Sequence, residues 1–169
     1  ILTEQLGSTF IAENKPGAGG TIGANFVAKA APDGYTLMAG TPGSMTINPV
    51  IKDNVGYDPI RDFAPITRAT SSPMVLTVSN KLPAKSIKEL IALAKARSKP
   101  LIFGSSGIGS TAHLDGALFM LLSDTKMVHV PYKGTAPGVL ATAAGEIDVH
   151  FGVLPAVMPF VKRGEIRLL

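Results

Sequence analysis

The residues best placed to do chemistry run Gly104-Ser105-Ser106-Gly107-Ile108-Gly109-Ser110-Thr111. The apolar run Leu101-Ile102-Phe103 precedes them, and Leu114, Ala117, Leu118, Leu121 and Leu122 follow at helical spacing. That order reads as strand, glycine–hydroxyl loop, helix. The first N–H groups of a helix have no intrahelical partner, and the helix dipole turns its positive end toward them. Such a loop suits a carboxylate or a phosphate. It holds no acid, base, thiol or metal ligand, so it is built to hold an anion rather than react with it. A plain strand-to-helix loop needs one hydroxyl as N-cap. Four hydroxyls and three glycines exceed that need.

Two catalytic readings of this loop fail on single residues. A P-loop requires lysine after its second spaced glycine, and Ser110 stands there. The hydrolase elbow requires glycine where Ile108 stands. A second glycine-rich stretch, Lys15 to Gly23, lacks the third glycine of a dinucleotide fingerprint, because Ile22 occupies it. It serves equally as a flexible connection or a ligand loop. Thr41-Pro42-Gly43-Ser44 follows a predicted strand, where open α/β sheets place ligands.

Isolated polar residues complete the candidate set. His113 falls in the first turn of the helix after the glycine–hydroxyl loop and could donate to an anion or pack locally. His129 and His150 fall in predicted strands and are expected to be structural. Asp148 either meets a ligand or pins a nearby loop. Lys133 reads as a solvated surface lysine. The three histidines lack metal-site spacing, so no metal and no cofactor are expected. No nucleophile with an adjacent base stands out, so no catalytic residue is assigned.

The elements that must position these residues follow from periodicity. Ile1 to Gly7 reads as the end of a helix. Phe10-Ile11-Ala12 and Tyr35 to Ala39 read as strands flanking a helix over Ile22 to Ala30. Residues 48–65 read as irregular. Pro73 to Val78 is a strand, and Ser86 with Glu89 forms a capping box. The helix it opens is expected to bury Ile87, Leu90, Ile91 and Ala94. Then come strand 101–103, helix 111–123, strand 127–131, helix 135–144, strand 147–151, helix 155–162 and strand 166–169. Strands alternating with helices predict βαβ units and a parallel sheet, hence an α/β protein. Two α/β lobes are expected, a partial first lobe over 1–74 and a second lobe over 75–169, joined near 68–78.

Composition narrows the function. Of 169 residues, 46% are hydrophobic and 17% charged, which supports a packed core and argues against disorder. The formal charge of +4 is dispersed, and aromatics are only 6%. There is no basic stripe with stacking aromatics, so nucleic acid is not an expected partner. No apolar stretch approaches the ~20 residues that span a bilayer, so no membrane insertion is expected. There are no cysteines.

An ordered set of segments is similar to the substrate-binding proteins of tripartite tricarboxylate transporters, the Bug family. These are Glu13 to Gly20, Ala31 to Leu37, Gly104 to Ser110, His113-Leu114, His129 to Gly134 and Gly145 to Asp148. The resemblance implies a periplasmic receptor of type II binding-protein architecture. Two lobes would close on a small carboxylate, and the loaded receptor would dock on membrane permease subunits, with no catalysis. It implies further chain on both sides of this sequence, leaving the first lobe incomplete, and an export signal. The expected ligand residues are Thr41, Ser44, Ser106, Gly107, Gly109, Ser110, Thr111, His113 and Asp148. An enzyme acting on an anionic or nucleotide substrate, or a ligand-sensing regulatory domain, is the alternative.

Overall fold

A computed structural model describes residues 2–169. Helix α1 spans Leu2–Leu6, and a 3-10 turn at Ala18–Gly20 leads into α2, Thr21–Ala28. A π-helical turn at Gly43–Ile47 runs directly into α3, Asn48–Ile51. The remaining elements are β1 (Met74–Ser79), α4 (Ile87–Ala96), β2 (Leu101–Ser105), α5 (Thr111–Ser123), β3 (Met127–Pro131), α6 (Thr135–Ala144), β4 (Val149–Val153), α7 (Leu154–Lys162) and β5 (Ile166–Leu168).

The five strands form one mixed sheet in the order β3-β2-β4-β1-β5. Strand β2 is parallel to β3 and to β4. Strand β1 is antiparallel to both its neighbours, Leu76 facing Phe151 of β4 and Thr77 facing Leu168 of β5. The all-parallel expectation is therefore corrected at β1. Parallel neighbours need a helical crossover between them. The chain leaves β1 through α4 to reach β2, two places away, so no crossover ties β1 to either neighbour. The β4–α7–β5 crossover passes over β1 instead.

The sheet buries both faces. Leu90 and Ala94 of α4 and Ala112 of α5 pack on Leu76, Leu101 and Phe103. Val139 of α6 and Val157 of α7 cover the other face with Ile166. Ser86 caps α4 by accepting from the Glu89 N–H at 3.2 Å. The Glu89 carboxylate reaches back one residue further than expected, to the Lys85 N–H at 2.8 Å. Of the residues expected inside, Leu90 and Ala94 are buried, Ile91 is half-buried and Ile87 is exposed. Helix α5 faces the sheet with Ala112 and Gly116, while Leu118, Leu121 and Leu122 are exposed. Gly116 is required there, because a Cβ would lie 2.3 Å from the Phe103 ring.

The predicted strands at 10–12 and 35–39 do not form. Ile11 is 89% and Tyr35 91% exposed. A strand needs a neighbour for its N–H and C=O groups, and no described segment pairs with these two. The stretch at 48–65 expected to be irregular opens instead on α3. Pro49 sits in its first turn, where a missing N–H costs nothing.

Candidate functional site

The glycine–hydroxyl loop leaves the carboxyl end of β2 as expected. Ser105 is fully buried, and its hydroxyl folds the loop back on itself. Its Oγ accepts from the Gly107 N–H at 3.2 Å and lies 2.7 Å from His129 Nε2. Gly107 and Gly109 adopt φ of +130° and +76°, in the region that L side chains avoid. Ser110 is the N-cap of α5, its hydroxyl accepting from the His113 N–H at 3.3 Å. Capping uses the Ser110 oxygen as an acceptor, which fixes the nearly buried hydroxyl at the helix start. The hydroxyls of Ser106 and Thr111 and the amides of Thr111 and Ala112 have no partner among the described residues. These are donors free to meet an anion at the start of a 13-residue helix.

A histidine pair braces this loop from behind. His113 Nδ1 accepts from the Gly109 N–H at 3.3 Å, so that nitrogen is unprotonated. The His113 ring stacks on His129 with centroids 4.3 Å apart, and His129 stacks on Phe103 at 4.7 Å. Burial holds both imidazoles below their ordinary range. His129 is pushed down to about 4, first by desolvation and then by the charge of His113. A charged pair in such contact would repel, which keeps the brace neutral near pH 7. Ser105 and His129 have the spacing of a nucleophile and its base, a pair the sequence did not single out. Ser105 is shut off from any substrate, and its hydroxyl is already committed to the loop.

Two loops from the first half of the chain close on the same point. Gly17, Ala18, Gly19 and Gly20 all adopt positive φ before α2 begins. At the third loop, the Thr41 N–H donates to Ser44 Oγ at 3.3 Å, and that hydroxyl donates to the Thr41 carbonyl at 3.1 Å. The Tyr57 hydroxyl donates to the Ser44 carbonyl. Ser44 is buried and its hydroxyl is engaged, whereas Thr41 is exposed beside Gly20.

Backbone meets backbone where the three loops converge. A Cβ on Gly19 would lie 2.5 Å from the Ile108 carbonyl oxygen, and one on Gly107 would lie 3.2 Å from the Gly19 nitrogen. A Cβ on Gly43 would lie 3.1 Å from the Gly19 carbonyl oxygen and 3.3 Å from that of Gly109. Asn48 fills the centre of this junction. Its Nδ2 donates to the carbonyls of Gly43 at 2.7 Å, Gly109 at 3.0 Å and Gly19 at 3.3 Å. Neither Asn48 nor Tyr57 was singled out from the sequence. Asn48-Pro49 looks like a turn signal, and nothing local shows that its amide reaches Gly109.

The expected site residues thus divide. Ser106, Gly107, Gly109, Ser110, Thr111 and His113 form one loop and helix start, with Thr41 and Ser44 across the junction. Asp148 is elsewhere. Its carboxylate accepts from the Ile102 N–H at 2.9 Å, at the amino ends of β2 and β4. Four strand residues separate that level from Ser106, ~13 Å at 3.3 Å per residue. Of its two readings, the pin is the one its hydrogen bond supports. No cluster of three metal-ligating side chains occurs among the described residues, and no helix there is long and apolar enough to cross a membrane.

A sheet with helices on both faces and glycine loops at its strand ends is an α/β architecture that solute-binding protein lobes share. The chain matches the family model of the tripartite tricarboxylate transporter family receptor over residues 1–169, and it belongs to that family. BugT of Bordetella pertussis is 32% identical over 99% of this chain and 52% of its own length. A relative from Agrobacterium vitis is 36% identical over 98% of this chain and 48% of its own. The chain spans about half the length of these relatives. A solved R. palustris protein with adipate superposes with a TM-score of 0.96 at 39% identity, covering 99% of this chain and 56% of that one. MatC of Rhodopseudomonas palustris with bound malate superposes at 0.91 and 29% identity, with 99% and 57% covered. The family is one of solute-binding receptors, not enzymes.

Proposed function

We propose that this chain is part of a periplasmic receptor that captures a small organic carboxylate for a tripartite tricarboxylate-type transporter. The observation that carries this reading is the glycine–hydroxyl loop. It offers free amides and hydroxyls at the start of α5 and faces two further glycine loops, while Ser105, its one hydroxyl beside a histidine, is buried and committed to the loop. Adipate and malate, the molecules held by two similar proteins, are both dicarboxylates. In this reading Ser106 and Thr111, with the amides of Thr111 and Ala112, hold one carboxylate. Thr41 meets the other end of the ligand, directly or through water. Gly107, Gly109, Ser110 and His113 set the loop's shape. Residues 75–169 act as one lobe and residues 1–74 as part of the other, with closure about 68–78 and the strand leaving at Leu168. The loaded receptor then docks on membrane permease subunits.

A thermal-shift screen of the whole protein tests this. Stabilisation by adipate, malate, citrate or related acids, with no turnover, is the expected result. Response only to nucleotides with Mg²⁺ would overturn it. The docking step is tested by transport assays with the permease, where uptake should require the receptor.

A further inference from the structure

Asn48 lies in the first turn of α3 with none of its surface exposed. Its position is unusual for what it joins. One side-chain nitrogen serves a carbonyl from each of the three glycine loops: Gly19, Gly43 and Gly109. The last of these is 61 residues away and belongs to the loop that carries the free donors. With two hydrogens for three acceptors, the amide is fully used on its donor side. On its other side Oδ1 is buried without any partner. An acceptor buried this way is a cost. The three donor contacts are what the position gains in return.

We propose that Asn48 is a positioning residue for the carboxylate site. It sets the three loops in register, so that Thr41 on one side and Ser106 and Thr111 on the other face the same ligand. The inference rests on the receptor reading above. Its chemistry is specific. Aspartate has nearly the same shape but presents oxygens to three carbonyl oxygens, which repel it when ionised. When protonated, it regains one O–H donor. Glutamine carries the same donors on a stem one methylene longer, in a space where a Cβ on Gly109 would already lie 2.1 Å from Asn48 Oδ1.

The test uses the whole protein, with adipate and malate as probes by calorimetric titration. Asn48→Asp should bind at least tenfold more weakly than wild type at pH 7.5. That deficit, taken relative to wild type at each pH, should shrink as the pH falls and the new carboxyl takes up a proton. A residue that only supported the fold would lower the melting temperature and leave no such recovery in affinity. The wild type supplies a second readout that needs no variant. The Asn48 side-chain amide protons should exchange slowly with solvent, and saturating adipate should slow them tenfold further. Equal affinity of Asn48→Asp and wild type at every pH, or amide exchange indifferent to ligand, would overturn the inference. Wild type that binds no carboxylate in a wider panel would instead overturn the receptor reading beneath it.

Discussion

Replacing Gly109 by alanine isolates what the loop junction contributes. Two costs are superimposed at this position. The first is conformational, since Gly109 has φ of +76° and an L residue there costs about 1–2 kcal/mol. The second is contact, since the new Cβ would lie 2.1 Å from Asn48 Oδ1 and 2.7 Å from its Cγ. The Asn48 amide must move and loosen its hold on three carbonyls, which adds about 1–3 kcal/mol. Gly34 separates the two. It has φ of +82°, and a methyl group there would meet nothing within 4 Å, so Gly34→Ala bears only the first cost. Urea unfolding of the two variants should therefore differ by about 1–3 kcal/mol, Gly109→Ala being the weaker. Calorimetric titration should show carboxylate affinity reduced in Gly109→Ala and unchanged in Gly34→Ala. Equal losses of stability with equal affinities would refute the claim that Gly109 is there to let three loops meet.

His150 is fully buried with both ring nitrogens unpartnered, and burial pushes it down to about 4 from an ordinary 6.5. The unfolded chain takes up this proton first, so the stability held above pH 6.5 should fall progressively between 6.5 and about 4, by ~3 kcal/mol in all. His150→Phe should make that part of a urea-midpoint-against-pH curve shallower, leaving the share due to His129; an unchanged slope would contradict it. Ser110→Ala should cost about 1 kcal/mol as a lost N-cap and also weaken carboxylate binding. Ser86→Ala at the cap of α4 should cost about as much, with no change in affinity. Asp148→Asn should lower stability by about 1 kcal/mol through its bond to Ile102 while leaving affinity untouched. A large loss of binding in that variant would return Asp148 to the ligand.

The second half of the chain was legible because its signals are local. The capping box at Ser86, the β-branched run before Ser79 and the loop from Gly104 to Thr111 each specify an element from its own residues. In the first half the helices ending at Leu6 and opening at Thr21 were legible too, but the strands were not, because their signals depend on partners. Residues 10–12 and 35–39 have strand composition, yet strands form only against a neighbouring backbone. The direction of β1 was hidden for a related reason. Its composition states that it is buried, and only its neighbours β4 and β5 set which way it runs. At the candidate site, hydroxyl and glycine counts located the loop but not the division of labour within it. Ser105 spends its hydroxyl on the loop and Ser110 uses its oxygen to cap α5, while Ser106 and Thr111 carry no such duty. Asn48 was invisible because its three acceptors come from segments up to 61 residues away.

Everything proposed for the ligand turns on a carboxylate held at the start of α5 by the loop that follows β2. A crystal structure of the whole protein with adipate or malate tests it most directly. One carboxylate should lie within hydrogen-bond distance of the Thr111 and Ala112 amides and the Ser106 or Thr111 hydroxyl, with Thr41 toward the other end. Ligand bound away from this loop, with those donors facing only solvent, would contradict it.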